Sequence, residues 1–127
     1  AQFATRFIAT QECDASQGFK DVILEARDKD VCIIPSPVGM PGRAVRTPLL
    51  QRLEKEKQLK PEKCISCLTP CNPKTAPYCI SRALIRAVQG DRENGLFFCG
   101  GKVGKINKMT TVRQLMEQLM RDWRNEQ

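Results

Sequence analysis

Gln2-Phe3-Ala4-Thr5-Arg6-Phe7-Ile8-Ala9-Thr10 opens the chain. Residues 2–9 alternate loosely, and Phe3, Thr5, Phe7 and Ile8 suit a pleated surface, so the pattern predicts a strand. Two more short strands are predicted further on. Val31-Cys32-Ile33-Ile34 is a buried apolar run ended by Pro35 and Pro37, which cannot donate to a sheet ladder. Leu96–Cys99 follows the Asn94-Gly95 turn and is broken by Gly100-Gly101. Three short, widely separated strands make a poor independent sheet. They are expected to complete a sheet supplied by something else.

The rest of the pattern is helical, giving a mostly helical α+β class. Asp14 with Gln17 reads as a capping box for a helix over about 15–28, with Phe19, Val22, Ile23 and Ala26 as its apolar face. Residues 36–43 form a Pro/Gly loop. Thr47-Pro48 starts a helix carrying Leu49, Leu50 and Leu53, and Glu54–Lys57 is its wet end. Pro77 opens a further helix with a stripe from Ile80 to Val88, and Gly90 stops it. Thr111 and Gln114 form a second capping box before Val112, Leu115, Met116, Leu119, Met120 and Trp123, which predicts a terminal helix over 111–125.

The 127 residues suit one domain, and 41% hydrophobic with 28% charged residues is ordinary globular composition. No apolar run is long enough to cross a bilayer. The start resembles neither a signal nor a transit peptide, and it lacks Met, so the chain reads as cut at its beginning. Lys and Arg total 21 against 14 acids, a net charge of +7. The cations are scattered from Arg6 to Arg124 among acids, without an aromatic stacking strip. A solvated surface is expected, and nucleic-acid binding is not. There is no histidine, which excludes His-dependent acid–base and nucleophile chemistry within this chain.

Seven cysteines remain to be placed. Cys32 and Cys99 sit in apolar runs and read as buried small hydrophobes. Cys13 has no evident role. Cys64, Cys67, Cys71 and Cys79 fall on a loop over 58–80 with C-x2-C-x3-C-x7-C spacing. Without a secretion signal a reducing, cytoplasmic compartment is expected, where a thiolate metal site is favoured over disulfides. Zinc takes four sulfurs tetrahedrally, and an iron–sulfur cubane also takes four cysteines at variable spacing. Iron–sulfur, zinc and plain thiols all stay open. The spacing is nearer the cluster-binding pattern of certain flavin-dependent dienoyl-CoA reductases than the paired C-x2-C of zinc ribbons.

Three stretches together resemble one family: residues 2–14, the Ser36-Pro37-Val38-Gly39-Met40-Pro41-Gly42-Arg43-Ala44 loop, and the loop from Cys64 to Ile80. They are similar to the C-terminal third of NAD(P)H-dependent flavin oxidoreductases of the nitronate monooxygenase (2-nitropropane dioxygenase) type, a family that includes a flavin-dependent enoyl-ACP reductase. The resemblance implies part of a (β/α)8 TIM barrel, with the last barrel strand and its helix over 1–30 and a C-terminal cap over 31–127. In that family a Gln-Met-Gly-Thr-Arg-Phe stretch touches the FMN phosphate. Carried over, Gln2, Phe3, Ala4 and Thr5 become the FMN-binding positions, with Phe3 standing for Met and Ala4 for Gly. The barrel's remaining strands and the catalytic histidine would lie outside this chain. The implied partners are the rest of the barrel or another copy of the chain, with NAD(P)H as reductant. The alternative is a small four-cysteine metal-binding module without catalysis.

Overall fold

The terminal helix shows how local signals set an element. In the computed structural model, which describes residues 3–127, the Thr111 side chain accepts from the Gln114 amide at 3.2 Å. Gln114 Oε1 in turn accepts from the Thr111 amide at 3.3 Å. This reciprocal capping satisfies two amides that a helix start leaves unpaired. The helix it opens, α5, spans Val112–Asn125.

The preceding elements, in order, are α1 (Thr5–Ile8), α2 (Gln17–Glu25), a 3-10 turn (Asp28–Asp30), β1 (Val31–Ile34), β2 (Gly42–Val45), α3 (Pro48–Glu56), α4 (Ile80–Val88) and a second 3-10 turn (Val103–Lys105). β1 and β2 pair antiparallel, with Val31 opposite Val45 and Ile34 opposite Gly42.

The expected opening strand is replaced by a helical turn over residues 5–8, in which the Phe7 amide donates to the Ala4 carbonyl at 3.0 Å. A strand with no neighbour leaves its ladder unpaired, whereas a turn pairs its amides locally. Gln2 lies outside the described residues. The third expected strand, 96–99, makes one antiparallel bridge, Phe98 to Ala44. Hydrogen bonds from Val45 N to Phe97 O (2.9 Å) and from Cys99 N to Arg43 O (3.1 Å) hold it beside β2. That neighbour, β2, includes Gly42 and Arg43, which the sequence pattern places in the Pro/Gly loop.

Two helix starts differ, and a third, that of α3 behind Thr47, keeps its place without the cap bond. Ser16, not Asp14, caps α2, accepting from Phe19 N. Thr47 makes no cap bond, and its hydroxyl donates instead to Gly95 O at 3.4 Å. α4 begins at Ile80, three residues after Pro77. Lys57, at φ 59°, ends α3, and Gly90, at φ 86°, follows α4 as expected.

Two apolar clusters meet at the hairpin. Ala9, Val22, Ile23, Val45, Ala87, Phe97, Val103 and Ile106 form one. Ile34, Ala44, Leu49, Leu50, Leu53, Tyr78, Ala83 and Leu96 form the other. Phe19 and Phe97 pack edge to face at 4.9 Å. Among the described residues no helix is long and apolar enough to cross a membrane.

Candidate functional site

The N-terminal positions lie against a glycine turn from the far end of the chain. Thr5 Oγ1 accepts from the Gly100 amide at 2.8 Å, and Arg6 Nη1 donates to the Lys105 carbonyl at 3.0 Å. Gly104 donates to Asp28 Oδ1 at 2.9 Å, while Lys102 Nζ pairs with Asp28 Oδ2 at 3.6 Å. Asp28 therefore pins the 102–104 turn beside the opening residues. Phe3, Arg6, Lys102 and Lys105 share a cavity of about 430 Å³ with Leu115 and Asp122. Three cations stand here against the carboxylates of Asp122 and of Asp28, which already pairs with Lys102, and the net positive charge makes this end attractive to an anion.

Of the expected FMN positions, Gln2 lies outside the described residues. Phe3 and Ala4 are exposed, and Thr5 is half-buried. Sequence reasoning missed Arg6, Lys102 and Lys105 as their companions. Gly100-Gly101 reads in sequence only as a strand break, although a Gly-Gly-Lys run is the one visible hint of an anion-binding turn.

The second feature is the segment from Lys57 to Cys79, which has neither helix nor strand. Its two ends are tied together. Leu59 N donates to Pro77 O at 2.7 Å, and Gln58 Nε2 donates to Lys74 O and Ala76 O at 2.9 and 3.0 Å. Tyr78 is buried and donates to Pro35 O at 3.0 Å, and burial pushes its phenol up to about 12.

Cys64, Cys67, Cys71 and Cys79 all line one cavity of about 270 Å³. Cys64 and Cys67 are exposed, and Cys71 and Cys79 are partly so. Cys64 Sγ accepts from Ser66 N at 3.4 Å, and Cys67 Sγ lies 3.1 Å from Ser81 Oγ. Among the described residues no group of three or more Cys, Asp or Glu side chains converges closely enough to hold a single ion.

None of the seven cysteines is in a disulfide. Cys32 and Cys99 are half-buried rather than fully buried. Burial pushes the Cys99 thiol up to about 11 and raises that of Cys32. Both favour the protonated form, whereas metal ligation needs a thiolate.

The nitronate monooxygenase family model matches residues 1–122, and the chain belongs to that family of flavin-dependent oxidoreductases. FabK from Thermotoga maritima has a similar structure, at 26% identity and a TM-score of 0.73 over 97% of this chain and 36% of that one. A methionine-to-alanine mutant of the same protein matches at 25% identity and 0.70, over 96% and 33%. This chain thus spans about a third of the length of these relatives. No curated protein matches it. The mostly helical architecture with a small, unclosed antiparallel sheet is that of part of a (β/α)8 barrel with its C-terminal helical cap, as in these relatives.

Proposed function

We propose that this chain is the C-terminal part of an FMN-dependent NAD(P)H oxidoreductase of the nitronate monooxygenase type. It would supply contacts on the phosphate side of FMN together with a helical cap. The observation that carries this reading is the meeting of Thr5 with the Gly100–Lys102 turn, within a chain matched to the family over residues 1–122.

The residues fit a phosphate. Thr5 accepts from Gly100, and a hydroxyl also has one proton to donate. Arg6, Lys102 and Lys105 supply positive charge at the neighbouring cavity, which Phe3 lines and Thr5 does not. Bound FMN would supply the hydride chemistry. The residues of this chain would orient its phosphate end and neutralise its charge. Phe3 and Ala4 would bring backbone close to it, and the small Ala4 side chain leaves room for that approach.

The apolar residues Leu84, Ile85 and Val88 on α4 and Met116, Met120 and Trp123 on α5 are exposed. They support the remainder of the barrel, or a second copy of the chain, as the partner that covers them. Seven thiols outside any disulfide suit a reducing, cytoplasmic setting.

The reading is tested by FMN titration, followed by flavin fluorescence, onto the longest polypeptide that carries this segment and onto its Thr5→Ala variant. Loss of a hydrogen bond to a charged phosphate predicts roughly tenfold weaker binding. Equal affinity removes Thr5 from the site. The second reading, a four-cysteine metal-binding module without catalysis, draws on the thiols of the loop cavity. It predicts no flavin affinity in either protein.

A further inference from the structure

We infer that Cys64, Cys67, Cys71 and Cys79 together ligate one thiophilic metal centre, a cuboidal iron–sulfur cluster or a zinc ion, that organises the 57–79 segment. All four line the same cavity of about 270 Å³, and its remaining walls, among them Pro61, Ile65, Leu68 and Tyr78, carry no charged side chain. Cys13, Cys32 and Cys99 do not line it. The donor set is therefore purely sulfur, which selects zinc or iron–sulfur over hard cations.

The loop itself argues for an organiser. A segment this long without regular structure is uncommon in a compact domain. Ile65 within it is 70% exposed, and its buried apolar residues, Ala76 and Tyr78, lie near its end. Ser66 adopts φ 53°, and this turn brings its amide to Cys64 Sγ. Such an N–H to sulfur contact orients the sulfur as a ligand. The Ser81 hydroxyl lies 3.1 Å from Cys67 Sγ. Cys79 occupies the N-cap of α4, where unpaired helix amides favour a centre carrying net negative charge.

The thiols ring the cavity rather than meeting at a point. Either centre requires the loop to draw them inward. Either centre forms with release of the thiol protons, because the ligands are thiolates. The inference is independent of flavin binding.

The test uses the whole chain, purified anaerobically and then offered ferrous iron with sulfide, or zinc alone. About four iron per chain with a broad visible band near 400 nm identifies the cluster. About one zinc per chain in a colourless protein identifies the ion. Cys64→Ser and Cys67→Ser alter exposed positions, so the fold survives, and each is expected to reduce bound metal at least fivefold, whereas Cys13→Ser leaves it unchanged. Thiol alkylation gives a second readout, with four cysteines protected until a chelator is added. Absence of bound metal under both loading conditions overturns the inference. So does metal content that Cys64→Ser and Cys67→Ser leave intact.

Discussion

The hydroxyl of Thr5 accepts the amide of Gly100 at 2.8 Å, joining two residues 95 positions apart. This contact fixes the opening residues against the Gly100–Lys102 turn, and so positions the proposed phosphate end. Thr5→Val keeps the shape and removes the acceptor. It is expected to cost about 1 kcal/mol in urea unfolding, with Thr5→Ser recovering most of the loss.

Glu12 makes a second long-range tie. Both of its carboxylate oxygens accept from Val112 N at 3.0 Å, at the start of α5. A negative group there complements the helix dipole and occupies an unpaired amide. Glu12→Ala should destabilise the chain by about 1 kcal/mol, with the first turn of α5 showing the largest rise in amide hydrogen exchange.

The start of α2 packs directly on the backbone after α4. A Cβ at Gly18 would lie 2.8 Å from the Gly90 carbonyl oxygen, and one at Gly90 would lie 2.7 Å from Ser16 Oγ at a φ of 86°. Gly18→Ala should therefore destabilise by about 1–3 kcal/mol, although alanine is the better helix former by about 1 kcal/mol. Thermal unfolding of the variant checks the sign.

Alkaline unfolding should report on Tyr78. Its folded pKa is pushed up to about 12 by burial, above the ordinary phenol value of 10.0. The raised value means that its contribution is full below pH about 10 and is lost as pH climbs towards about 12. Tyr78→Phe should flatten the fall in stability across that window. It should also cost about 1 kcal/mol at neutral pH, for the lost bond to Pro35 O.

Much of the helical fold is legible in the sequence because its signals are local. The Thr111–Gln114 box, the Gly90 stop and the Val31–Ile34 run each lie within a few residues of what they determine. The misreadings come from partners distant in sequence. Whether residues 2–9 extend depends on a neighbouring strand, and here Thr5–Ile8 coils instead. Gly42–Val45 is a strand because Val31–Ile34 and Phe98 flank it, which its glycine- and proline-rich approach conceals. Thr47 has the sequence context of a cap, but its hydroxyl reaches Gly95. At the candidate site Thr5 is legible from the family pattern. Lys102 and Lys105 are not, since nothing local tells a lysine near a glycine pair from any other surface lysine.

The proposed phosphate role is tested most directly by comparing FMN with riboflavin, which lacks the phosphate, on the longest polypeptide that carries this segment. The account predicts that FMN binds at least about tenfold more tightly, the worth of a charge-assisted hydrogen bond. It also predicts that Thr5→Val combined with Lys102→Ala removes most of that preference while riboflavin affinity holds. Equal affinity for the two flavins, or a preference untouched by the double substitution, would contradict it.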